Sequence, residues 1–332
     1  MKKVLVALSL VLFSFWALPA GCFATVGSPN KSGSLLIFPY IEVTNESDTM
    51  IKMTNNATGA VGVLCTGDYL TDDHLEYFFF TVPPKRTIWF SAKTGKGKVP
   101  VPTFESGQSL LICWAVDSYS TKQISWNSLK GVATIKTTYP DGNFTWSYPS
   151  WNFSARQPKG EPVGLPGQIS LSGKKGEYDA FPKVLTYALT DPLAEHGTVH
   201  LAVGDYDLRQ ERVTNIRTRV HSRYSDTPKT KKDTLNYMYH SLSIVMTEGG
   251  VSGLTFTAKG EGDKDWTPKC STPPCPTYKV VAMPLLGVLS PALPSTLNGS
   301  ENFQGIMPTC PSSPCSEMSG TIYWDPGGSE PE

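Results

Sequence analysis

Ser109-Leu-Leu-Ile-Cys-Trp-Ala-Val116 decides how this 332-residue chain is read. It is a short apolar run with branched and aromatic members, set between turn-forming residues, which is the mark of a β-strand. Six more runs of the same kind surround it, at Ser34–Val43, Thr49–Thr54, Ala60–Thr66, Glu76–Thr81, Thr87–Ala92 and Gly131–Thr137. Segments such as Asn45-Glu-Ser-Asp48, Asn55-Asn-Ala-Thr-Gly59 and Lys93-Thr-Gly-Lys-Gly97 punctuate them. Seven short strands within about 105 residues match an immunoglobulin-like sandwich, so a first domain is expected over 33–138. Cys65 and Cys113 fall inside two of the strands, and a bridge between them would stabilise by a few kcal/mol through the unfolded chain. Trp114 then points away from Cys113, because neighbours on a strand face opposite ways.

A second set of runs follows at Gln168–Ser172, Lys183–Leu189, Thr198–Tyr206, Val213–Tyr224, Ser241–Met246, Leu254–Ala258 and Tyr278–Pro284. They predict a second sandwich over 166–289. Asn236–Leu242, with Leu235, Tyr239 and Leu242 on one side, offers a two-turn helix. Residues 139–165, rich in Pro, Gly and Trp, read as a linker or a packed hairpin. Residues 290–332, rich in Pro, Ser and Gly, read as a loosely ordered tail. The expected fold class is all-β, with two immunoglobulin-like β-sandwich domains behind a cleaved signal peptide. Length agrees, since roughly 300 residues remain without the leader, enough for two cores.

The leader is placed at 1–24. Met1-Lys-Lys3 is basic, Val4–Leu18 is almost wholly apolar, and Pro19-Ala-Gly21 breaks the run, the order of a secretory signal. That run is shorter than the ~20 residues of a permanent membrane helix, and with no second one in the chain no transmembrane segment is expected. Cleavage after Ala24 fits the small-x-small sequence Cys22-Phe-Ala24. Lipid anchoring at Cys22 is disfavoured, because Pro19 stands where an apolar residue is needed. The expected location is secreted, periplasmic or outer-surface.

Six cysteines then remain: Cys65, Cys113, Cys270, Cys275, Cys310 and Cys315. An even number in an exported chain favours disulfides, and local bridges are the simplest pattern for the two Cys-x4-Cys units. A zinc site of those four thiolates is the sharper alternative, with both spacing and compartment against it. Lys plus Arg and Asp plus Glu number 29 each. No global field therefore draws nucleic acid, and a charged partner must meet a local patch.

Two constellations are candidates for binding. Thr214-Asn-Ile-Arg-Thr-Arg-Val-His-Ser-Arg-Tyr224 places Arg217, Arg219, His221 and Arg223 on one strand face, with Lys229, Lys231 and Lys232 close behind. An anionic polysaccharide, a lipid headgroup or an acidic protein would find donors there; a solvated face that blocks edge association is the plainer reading. Phe144-Thr-Trp-Ser-Tyr-Pro-Ser-Trp-Asn-Phe153 offers Trp146, Tyr148 and Trp151 as an exposed strip for sugar rings. The plainer reading here is that the rings are buried where a linker seals two domains. His196-Gly-Thr-Val-His200 lacks the helical zinc pattern, and Asp205-Tyr-Asp207 and Asp68–Asp73 lack the order of a calcium loop. Neither a Gly-x-Ser-x-Gly elbow nor a P-loop occurs. No catalytic residue, metal ligand or cofactor site is assigned.

Gly33-Ser-Leu-Leu-Ile-Phe-Pro39, Asp48-Thr-Met-Ile-Lys-Met-Thr-Asn55, Gly107-Gln-Ser-Leu-Leu-Ile-Cys-Trp-Ala-Val-Asp117, Leu129-Lys-Gly-Val-Ala-Thr134 and Tyr178-Asp-Ala-Phe-Pro-Lys-Val-Leu185 together resemble a group of exported, functionally uncharacterised bacterial proteins. The resemblance implies a secreted β protein and names no substrate. A non-enzymatic surface, matrix or adhesion role is expected, with an extracellular or envelope protein or an anionic polysaccharide as partner. The alternatives are a carbohydrate-binding module or carbohydrate-active enzyme, and an envelope assembly factor working by strand addition.

Overall fold

The computed structural model describes residues 26–68, 77–117, 122–189, 196–204, 206–207, 218–224, 230–235, 239–245, 254–263, 280–283, 285–291, 299–305, 307 and 317–324. Every helix-or-strand element among them is a strand, so the chain is all-β there. The expected leader, Cys22, and the cysteines Cys270, Cys275, Cys310 and Cys315 lie outside the described residues.

The first nine strands are β1 (Leu35–Val43), β2 (Ser47–Asn55), β3 (Val61–Asp68), β4 (Tyr77–Val82), β5 (Arg86–Ser91), β6 (Gly107–Val116), β7 (Leu129–Tyr139), β8 (Gly142–Pro149) and β9 (Trp151–Phe153). They make two sheets, an inner one ordered β4-β3-β6-β1-β9 and an outer one containing β8-β7-β2-β5. All pairings among these nine strands are antiparallel.

Residues Ser109 to Val116 are buried without a break. Leu111, Cys113 and Ala115 face the outer sheet, in one core with Leu36, Phe38, Ile51, Met53, Phe90 and Ala133. Leu110, Ile112, Trp114 and Val116 face the other way, into a second core with Leu35, Ile37, Ile169, Tyr178, Leu201, Ile322 and Trp324. The inner sheet is thus covered on both faces. That explains why β1 and β6 read as continuous apolar runs, since a strand buried on both sides has no position to give to water. The outer sheet behaves differently: β2 alternates between buried Ile51 and Met53 and exposed Lys52, the period of a half-buried strand.

The expected Cys65–Cys113 disulfide is present. Its residues are direct cross-strand partners on β3 and β6, with Cα atoms 4.1 Å apart. It therefore joins neighbours within the inner sheet and leaves the two sheets unlinked. Trp114 lies in the opposite core, as alternation requires. Grouping of the seven strands differs from that of a constant-type immunoglobulin domain, where the first, second, fourth and fifth share a sheet. Here β2 keeps company with β5 and β3 with β6, but β1 and β4 join β3 and β6 while β7 joins β2 and β5.

The remaining strands are β10 (Gln168–Leu171), β11 (Phe181–Pro182), β12 (Leu185–Leu189), β13 (His196–Val203), β14 (Tyr206–Asp207), β15 (Thr218–Tyr224), β16 (Thr230–Leu235), β17 (Tyr239–Val245), β18 (Leu254–Asp263), β19 (Val280–Met283), β20 (Leu285–Ser290), β21 (Gly299–Gln304), β22 (Glu317–Met318) and β23 (Gly320–Tyr323). They form sheets ordered β12-β18-β15-β16, with β19 also on β18, and β17-β13-β20, together with the small sheets β10-β23-β14 and β11-β22.

Three expectations change. Of the two readings of 139–165, the linker gives way and the packed hairpin holds in part: β8 pairs antiparallel with β7 in the outer sheet, while β9 belongs to the inner one, and the chain crosses between the sheets at buried Ser150. The supposed tail returns to the body of the protein. β21 runs parallel to β8 and completes the outer sheet, while β23 pairs with β10 and carries Ile322, followed by Trp324, into the second core. Apolar alternation in Gly320-Thr-Ile-Tyr-Trp324 is what draws it in, despite the Pro, Ser and Gly around it. In place of the short helix at Asn236–Leu242, β17 extends from Tyr239.

Candidate functional site

Trp146, Tyr148 and Trp151 are all buried, and in two different cores. The crossing at Ser150 sends Trp146 and Tyr148 between the sheets and Trp151 to the far side of the inner sheet. No continuous exposed strip exists, so a sugar has nothing to stack on there. Each ring has a structural task instead. Pro39 has no N–H to give the ladder, and β1 slips register against β6 between Phe38 and Ile41. The Tyr148 hydroxyl fills the gap: it accepts from the Tyr40 N–H at 3.1 Å and donates to the Tyr40 carbonyl. Burial raises its pKa well above the usual phenol range, so it stays protonated and able to donate. Trp146 stacks on Tyr40 at 5.8 Å and on His200 at 5.9 Å. Trp151 donates its indole N–H to the Gly287 carbonyl on β20 at 3.1 Å.

The basic run is placed on β15, except for Arg217, which lies outside the described residues. Arg219, His221 and Arg223 occupy alternate positions of a strand paired on both sides, with β16 and β18, so β15 is not a sheet edge. Opposite Arg219 stand Thr234 and Glu261. The side chains of β15 lie outside the description. His200 is buried in β13, stacked on Tyr40 at 3.6 Å and within 3.0 Å of the Ser290 hydroxyl. Burial lowers its pKa to about 3 and holds it neutral. That is a core histidine, and among the described residues no cluster of His, Cys, Asp and Glu suits a metal ion.

The arrangement with most binding potential lies on the outward face of the outer sheet. The ladders of β5, β2, β7 and β8 align Trp89, Lys52, Val132 and Pro149 in one row. The next row toward one end sets Ser91, Met50, Thr134 and Ser147 side by side, and toward the other end Thr87, Thr54 and Lys130. Trp89 keeps 36% of its surface in water and Val132 keeps 38%, beside exposed Lys52 and Lys130. Hydroxyl pairs pave the rest, Thr54 with Thr87 at 2.8 Å and Thr134 with Ser147 at 2.9 Å. Four strands at about 4.8 Å spacing give a row roughly 14 Å long.

A tight return after β5 adds to this face. Gly95, at φ 65°, turns the chain, and Gly97 then lies so close to β5 that a Cβ would sit 2.1 Å from the Trp89 carbonyl. Lys98 N–H donates to that carbonyl at 2.8 Å, and its ammonium group to the Thr87 carbonyl at 3.2 Å. Lys96 and Lys98 are thereby held beside Trp89, with exposed Arg86 at the start of β5. One ion pair occurs among the described residues, Lys31 with Asp179, so no described carboxylate neutralises these cations. Asp48, on the same sheet opposite Lys136, has its oxygens taken by the Ser91 hydroxyl at 2.7 Å and the Lys93 N–H at 3.0 Å.

Sequence reasoning passed over this face although a signal was present. From Tyr77 to Phe104 the chain has no acid and five cations, Lys85, Arg86, Lys93, Lys96 and Lys98. Comparison with known proteins found no matching family model, no matching curated protein and no matching solved structure.

Proposed function

We propose that this chain works outside the cytoplasm as a non-enzymatic binding protein of the surface, matrix or adhesion type, with the outward face of the outer sheet as its working surface. The observation that carries it is an exposed indole framed by lysines that no described carboxylate pairs with, on a sheet whose other face is locked into a core. Rigid strands hold such a face to sub-ångström reproducibility better than loops do. A disulfide fits an oxidising compartment, which supports the export expected from residues 1–24. In this proposal the immunoglobulin-like comparison is limited to the β2–β5 and β3–β6 pairs, and the second block serves as a partner body for the inner sheet.

Export is tested by the N-terminal mass of the protein recovered from outside the cytoplasm, expected to begin at Thr25. The working face is tested by steric block. Thr134→Cys carrying a bulky polyethylene glycol should lose retention on the producing cell's envelope fraction, whereas the same polymer on Lys174→Cys should not. Equal retention of both conjugates would dismiss this face.

A further inference from the structure

Resting on that reading, we propose that the outward face of β5, β2 and β7 is a binding site for an acidic polysaccharide, with Trp89 as the stacking platform and Lys52, Lys98 and Lys130 as the anion contacts. Lys52 and Lys130 are diagonal neighbours on β2 and β7, which puts them about 7–8 Å apart. Like charges that close on a sheet repel, and no described acid relieves them. A polyanion does. The cations nearest Trp89 on the sheet face are lysines, compact charges on flexible stems; they suit carboxylates or sulfates repeated along a polymer better than a planar bidentate fork would. The Thr54–Thr87 hydroxyl pair shares the row of Lys130, and the Thr134–Ser147 pair lies in the next row beyond Lys52 and Val132. Each pair keeps acceptor capacity for sugar hydroxyls, because one hydrogen bond uses only part of what two hydroxyls offer.

Shape favours a chain of sugars over other anions. The row of Trp89, Lys52, Val132 and Pro149 runs across four strands, so a chain of sugars laid along it meets one contact after another. One half-exposed indole at the edge gives a platform for a pyranose ring, whose C–H face packs on an aromatic as other apolar surfaces do. A lipid surface would call for several apolar wedges.

Affinity electrophoresis of the mature chain on immobilised heparin and polygalacturonate, with dextran as the neutral control, is the test. Retardation is expected on an acidic gel and not on dextran, and the two acidic gels separate sulfate from carboxylate recognition. Lys52→Glu with Lys130→Glu should weaken binding roughly tenfold or more, and the milder Lys52→Gln with Lys130→Gln should fall between. Trp89→Ala should lose about three- to tenfold while keeping the wild-type salt dependence, since stacking releases no counterions. Trp89→Phe should recover part of that loss.

Unchanged affinity in Trp89→Ala, or equal binding to polyglutamate, single-stranded DNA or phosphatidylglycerol vesicles, would overturn the proposal by reducing the face to a general anion attractor. No retardation on either acidic gel would also overturn it. If the Thr134 conjugate still loses envelope retention in that case, the face keeps its role with another ligand. If it does not, both readings fall together.

Discussion

The inner and outer sheets of the sandwich share a core and are built from strands of similar length, yet they obey different rules. Eight consecutive residues of β6 are buried, divided between two cores. On β2 and β7 every second residue reaches water. The comparison teaches where selection for packing ends and freedom for binding begins: a doubly covered strand has no side chain to spare, whereas a singly covered one has half of its positions available. Tryptophan shows the contrast within one residue type. Trp114 is fully buried and packs at 5.1 Å from Trp324; Trp89 lies across the sandwich with a third of its surface in water.

The contrast sharpens most on truncation. Trp114→Ala should cost about 3–5 kcal/mol through lost burial and a residual cavity, while Trp89→Ala, at a site a third exposed and able to relax into solvent, should cost about 1–2 kcal/mol. Urea midpoints of the two variants would read this directly, and comparable losses would erase the distinction between the sheets. Next in size is the staple inside the inner sheet. Replacing Cys65 and Cys113 together by Ser should lower stability by about 2–4 kcal/mol without changing acidic-polysaccharide binding, because the disulfide touches only the sheet that does not bind.

Tyr148→Phe removes the buried hydroxyl that accepts from the Tyr40 N–H and donates to the Tyr40 carbonyl. A loss of about 1–3 kcal/mol is expected, seen as a lower midpoint with an unchanged denaturant slope. His200 gives a pH-dependent version of the same test. Its folded pKa, about 3, lies below the unfolded value near 6.5, so between those values the unfolded chain binds more protons than the folded one. Its contribution is complete above about pH 6.5 and falls with acidification, by up to about 1.4 kcal/mol per pH unit. The midpoint should therefore drop between pH 7 and pH 5, and His200→Gln should drop less over the same interval.

How much of this was legible in the residues depends on distance along the chain. β1 and β6 announce themselves as apolar runs, and Cys65 and Cys113 fall inside strands that pair directly. Local patterns stop there. The aromatic segment Phe144–Phe153 is conspicuous, but whether it faces water depends on the crossing at Ser150, a tertiary event with no local mark. β21 beside β8 and Trp324 beside Trp114 join residues far apart in sequence, so a Pro-, Ser- and Gly-rich context hides a strand that only its distant partner can stabilise. The binding face was obscured for another reason. Trp89 sits between buried Ile88 and Phe90, Lys96 and Lys98 alternate with the glycines of a tight turn, and only the ladder register brings Lys52 and Lys130 to the same side as Trp89.

Hydroxyl-radical footprinting of the folded mature protein, read tryptophan by tryptophan, bears most directly on the division between a sealed inner sheet and an open outer face. Trp89 should be oxidised readily while Trp114, Trp146, Trp151 and Trp324 are protected, and heparin or polygalacturonate should protect Trp89 as well. Oxidation of Trp146 or Trp151 as fast as Trp89 would contradict the account.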